Sequence, residues 1–262
     1  MRLFPPFRVL GPCLALMALL GPAALGSETR APAEASCPVA AQLRGFAADL
    51  PRARGAIADG RKLTIVALGS SSTLGTGASS EEHAYPAVLR RELASLLHGH
   101  EIDVVNSGVG GNSAHQMYQR IDADVLSEQP QLVVWQTGVF DAVHDIGIEK
   151  FKRILRKGIA KIREGGADVV LMDQLPLPRA DRFPAYASYV AALHEVAAET
   201  ETPVFRRNDL FAVLINEGRL RQDEMLPTAG DNLVDGSYHC LGVNLARTLA
   251  EKLSPRAVPS RP

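Results

Sequence analysis

Leu63-Thr64-Ile65-Val66-Ala67-Leu68-Gly69-Ser70-Ser71-Ser72-Thr73-Leu74-Gly75-Thr76-Gly77 reads as a buried strand running into a Ser/Gly loop. The strand half is apolar, and β-branched Thr64, Ile65 and Val66 favour an extended backbone. A polar turn with permitted glycines follows. Open α/β sheets hold their ligands at such a place, outside the carboxyl ends of the strands.

Working outward, residues 102–105, 132–136, 169–172 and 203–205 read as further strands, and helical stripes separate them. Tyr85, Val88, Leu89, Leu93 and Leu96 predict a helix over 85–97, and Met117, Ile121 and Val125 a second one. Phe151, Ile154, Leu155, Ile159 and Ile162 form a third stripe, closed by Gly165-Gly166. Helices are expected over 185–200 and 210–218, a polar loop over 219–236, and a closing helix through Leu241, Leu245, Leu249 and Leu253. Strands alternating with helices imply right-handed βαβ units. The expected fold is therefore a three-layer α/β/α sandwich around a mostly parallel five-stranded sheet, one domain over residues 60–253.

The ends read differently. Arg2 and Arg8 flank the start of an apolar run over 9–20, and Ala24-Leu25-Gly26 offers small residues for cleavage. This is the pattern of an export signal, expected over 1–26, with an uncleaved anchor as its rival. The run is shorter than the roughly 20 residues a membrane span needs. Residues 27–59 read as a mobile lead-in and an Ala-rich helix, and 254–262 as a Pro-rich disordered tail. The expected address is periplasmic or secreted. The whole chain carries a formal charge of −1, and loss of Arg2 and Arg8 takes it to −3. Neither value points to nucleic acid or to an anionic membrane surface. Cys37 and Cys240 would remain; in an oxidising compartment they either pair or stay two separate thiols.

Three loops at strand ends carry the candidate chemistry. The first offers Ser70, Ser71 and Ser72, and the second, 107–113, offers backbone N–H groups at Gly110 and Gly111. The third is Gly138-Val139-Phe140-Asp141. A hydroxyl facing glycine amides is the minimum geometry for acyl transfer. No Cys/His cluster has metal-ligand spacing, so no metal or cofactor is expected. Phosphate-loop and dinucleotide-binding glycine patterns are missing too.

Taken in order, these blocks resemble the SGNH/GDSL hydrolase superfamily, which has a flavodoxin-like α/β fold. The family's Gly-Asp-Ser-x-x-x-Gly stands as Gly69-Ser70-Ser71-Ser72-Thr73-Leu74-Gly75, which puts the nucleophile at Ser71. Asn-x-Gly-x-x-Gly stands as Asn106-Ser107-Gly108-Val109-Gly110-Gly111, with the oxyanion glycine at Gly111. The third block, behind Trp135, carries Phe140 where the family has an oxyanion asparagine. A phenyl ring donates no hydrogen bond, and loss of one such donor costs roughly 100- to 1,000-fold in turnover.

The last block, Asp-x-x-His in the family, has two registrations. Aligned on Ser237-Tyr238-His239-Cys240-Leu241, the acid and base positions fall on Ala229 and Asn232, and neither serves. Alternatively Asp235 and His239 supply orienter and base, at a spacing of four rather than three. His115 and His144 follow the second and third loops; neither matches a family position, and surface histidine is their default. Two functions follow from the resemblance. One is an exported hydrolase of an O-acyl ester, from a small molecule or glycan. The other is a degenerate member that binds an acylated glycan or a protein without turnover.

Overall fold

The computed structural model describes residues 37, 46, 48–177, 180–225 and 234–254. The expected signal at 1–26, nearly all of the lead-in at 27–45, and the tail beyond 254 lie outside them, as do Ala229 and Asn232.

In chain order the described elements are α1 (Pro51–Ala58), β1 (Leu63–Gly69), α2 (Ser71–Leu74), α3 (Tyr85–Leu96) and β2 (Ile102–Gly108). There follow α4 (Ala114–Gln119), α5 (Ile121–Asp124), β3 (Leu132–Gln136), α6 (Val139–Val143) and α7 (Ile148–Glu164). The remainder is β4 (Asp168–Met172), α8 (Tyr186–Glu199), β5 (Val204–Phe205), α9 (Arg207–Asn216) and α10 (Asp235–Leu253).

The five strands are all parallel, in the order β2-β1-β3-β4-β5. Side chains alternate across a strand, so the sheet separates two cores. Leu63, Ile65 and Ala67 of β1, with Leu132 and Val134 of β3, pack under α1, α3, α9 and α10. Val66 and Leu68, with Val133 and Trp135, pack under α4, α5, α7 and α8. The three-layer expectation holds. None of the described helices is long and apolar enough to cross a membrane.

Four local readings are corrected, and the cysteine pairing left open is decided. The serine loop is a helical turn, α2, and the third loop is another, α6. The stripe through Met117 and Ile121 is broken at Arg120 into α4 and α5. The closing helix begins at Asp235, so Asp235 and His239 stand on helix rather than in a loop. Cys37 and Cys240 are joined as a disulfide spanning 203 residues, which fastens the N-terminal segment to α10.

Candidate active site

The chain leaves β1 towards β2 on one side of the sheet and later enters β3 on the other. Segments leaving β1 and β3 therefore diverge and open a crevice at the carboxyl ends, as expected where strand order reverses. The two segments are α2 and α6.

Ser71 is the first residue of α2. The turn lies directly on the end of β2: a Cβ at Gly108 would sit 2.2 Å from the Leu74 backbone nitrogen. From beneath, the buried Gln136 at the end of β3 accepts the Ser70 N–H at 3.2 Å and the Thr73 hydroxyl at 3.3 Å. Arg120, at the break between α4 and α5, reaches back to the same corner. Its Nη2 donates to the carbonyls of Gly69 and Ser107, and its Nε to Asn112 Oδ1. One guanidinium thus ties the ends of β1 and β2 together. Neither Gln136 nor Arg120 was singled out from the sequence; a polar residue closing the buried strand 132–136 was the available signal.

The Gly111 N–H donates to Ser71 Oγ at 3.3 Å. The Ser71 N–H has no partner among the described residues. Ser113 caps α4, and Gln116 closes the capping box, its Oε1 accepting the Ser113 N–H at 2.9 Å. Both carboxylate oxygens of the buried Asp141 accept the Ala114 N–H, at 3.2 and 3.0 Å, which clamps the third block onto the second. Burial pushes the Asp141 carboxyl up to about 6, against the pull of the Ala114 N–H.

The crevice has a volume of about 360 Å³. Ser70, Ser71, Ser72 and Gly111 form its polar side. Val139, Phe140 and Val143 of α6, with His144 at its C-terminal cap, line it too. Leu175, Met225 and Tyr238 complete an apolar remainder. Burial carries the Tyr238 phenol up to about 12, and it donates to the Thr76 carbonyl at 2.9 Å, so it is no base at neutral pH. Phe140, at the family's asparagine position, turns its ring onto His144, with centroids 3.9 Å apart and planes 20° from parallel.

His239 is not among the described residues that line this crevice, and it makes no hydrogen bond to any of them. The pairing of Asp235 with His239 is not formed. Side chains on a helix lean toward its N-terminus, and Asp235 leans onto the loop before α3. There it accepts the Ser79 N–H at 2.8 Å and the Ser79 hydroxyl at 2.5 Å. His83 Nδ1 lies 2.8 Å from the same hydroxyl. A serine, a histidine and an acid thus meet away from the crevice, but the serine stands between the other two and donates straight to the acid. That order is not a triad. The structure therefore brings Ser71 and Gly111 together and leaves Asp235 and His239 elsewhere.

Comparison with known proteins identifies the family and the fold. The non-GDSL lipase-like family matches residues 36–255. Esterase TesA of Pseudomonas aeruginosa is 28% identical over 140 residues, covering 53% of this chain and 67% of that protein. A lipase/acylhydrolase from Enterococcus faecalis superposes with a TM-score of 0.61 at 25% identity, covering 74% of this chain and 99% of that one. A G-D-S-L lipolytic protein from Desulfitobacterium hafniense does so at 0.58 and 25%, covering 71% and 98%. A two-domain esterase active on acetylated mannans shares the fold, with a TM-score of 0.66 at 20% identity, over 83% of this chain and 59% of that one.

Proposed function

We propose, since this chain belongs to the non-GDSL lipase-like family of SGNH/GDSL hydrolases, that it is an exported serine hydrolase of low turnover. Its substrate is a small O-acyl ester of the cell envelope. One observation carries the reading: Ser71 Oγ accepts the Gly111 N–H inside the crevice at the switch point. A backbone donor beside the nucleophile stands within reach of the carbonyl oxygen of an ester that adds to Oγ, and can turn from Oγ to that oxygen as charge develops on it. The apolar side formed by Val139, Val143, Leu175 and Met225 suits an acyl group, and about 360 Å³ suits a small one. Export is supported by the basic, apolar pattern of residues 1–26 and by the Cys37–Cys240 disulfide, a bond kept in oxidising compartments.

A second reading, ligand binding without turnover, is favoured by a different observation. Phe140 replaces an oxyanion donor, and Asp235 is committed to Ser79. Labelling with a fluorophosphonate, read by intact mass beside Ser71→Ala, separates the two. Adduct on the parent protein and none on the variant is the expected result. A folded parent protein that takes no adduct sinks the hydrolase reading and leaves the binding one.

A further inference from the structure

The hydrolase reading needs a base, and neither position of the last block supplies one to the crevice. Resting on that reading, we propose that His144 is the general base: the imidazole stands at the C-terminal cap of α6, one helical turn after Phe140.

Three observations converge on His144. It lines the same crevice as Ser71 and Gly111, as an exposed side chain at the crevice surface. Its Nδ1 lies 3.0 Å from the Phe140 carbonyl oxygen, which also accepts the His144 backbone N–H at 3.1 Å. A carbonyl oxygen can only accept, so Nδ1 carries the hydrogen and the lone pair resides on Nε2. That is the tautomer a base requires. Third, the Phe140 ring stacks on the imidazole and restricts its rotation. Phe140 thereby gives up oxyanion donation and takes on the orienting of a base, the ring by stacking and the carbonyl by accepting Nδ1–H.

The proton path balances. Ser71 Oγ bonds to the ester carbonyl carbon while its proton passes to His144 Nε2. The carbonyl oxygen becomes an oxyanion, held by the N–H groups of Gly111 and Ser71. Collapse breaks the bond to the alcohol oxygen, which leaves with the proton from Nε2. Water then adds to the acyl carbon, its proton passes to Nε2, and Ser71 departs reprotonated with the acid released. Ser71 and His144 share no hydrogen bond in the structure, so the transfer requires Nε2 to come within reach of Oγ, directly or through one water, in the complex with substrate. A carbonyl supports the imidazolium less than a carboxylate would, in keeping with low turnover.

The test is hydrolysis of p-nitrophenyl acetate and fluorophosphonate labelling, run on the parent protein, His144→Ala, His144→Gln and His239→Ala. Both His144 variants are expected to lose 100-fold or more, within the range a general base contributes, while His239→Ala keeps the parent rate. Imidazole in the buffer is expected to restore fluorophosphonate labelling of His144→Ala, whose shortened side chain leaves room in the crevice, and to leave Ser71→Ala unlabelled. A purely structural histidine would not respond to imidazole. Full rates in both His144 variants overturn the assignment while the hydrolase reading stands; a loss that imidazole does not restore also overturns it. A parent protein that neither labels nor turns over removes the hydrolase reading and this base with it.

Discussion

Asp141→Asn isolates one buried charge. The carboxyl is fully buried between the second and third blocks and accepts the Ala114 N–H with both oxygens. Burial raises it from 3.8 to about 6. A raised carboxyl pKa means that the native state holds its proton more tightly than the unfolded chain does. The associated stability is fully present below about pH 4 and is lost as pH rises through 6. At 1.36 kcal/mol per pH unit, the loss by pH 7 is about 3 kcal/mol. Asparagine keeps an oxygen for the Ala114 N–H and never ionises. The variant is therefore expected to gain about 2–3 kcal/mol on the parent between pH 4 and pH 7. Urea unfolding of both proteins at several pH values, with the disulfide intact, reads this difference directly. Parallel stability curves across that interval would show that Asp141 ionises in the fold without cost, and would refute the reasoning.

Two further outcomes follow from contacts. Gly108→Ala places a Cβ against the Leu74 backbone, which cannot yield as a side-chain tip could. It is expected to cost about 1–3 kcal/mol and to cut Ser71 labelling tenfold or more, whereas Gly55→Ala, with open space around it, leaves labelling intact. Replacing both Cys37 and Cys240 by alanine opens a 203-residue loop. It is expected to cost about 2–5 kcal/mol in denaturant unfolding, and an unchanged midpoint would show that the bridge contributes nothing to folding.

Sequence patterns determined the sheet and its layers, because the periods of strand and helix are local: Ile65 and Ala67 must face away from Val66 and Leu68 whatever lies above them. The motif order also placed Ser71 and Gly111, since each sits within a few residues of a strand end. The base was not legible in this way. Asp235 and His239 looked like a pair by spacing, but side-chain direction decides contact, and Asp235 turns to Ser79, 156 positions away. The roles of Gln136, Arg120 and Asp141 each depend on a partner far along the chain, Ser70, Gly69 and Ala114, 66, 51 and 27 residues distant, brought near only by the folded sheet. The same is true of Cys37 and Cys240, whose pairing the sequence left open. His144 shows the division most plainly. Its position one turn after Phe140 was visible in the chain; that this turn is helical, that its rings stack, and that it lines one crevice with Ser71 were decided by the tertiary structure, which sets β1 beside β3 and so brings α2 and α6 to the same crevice.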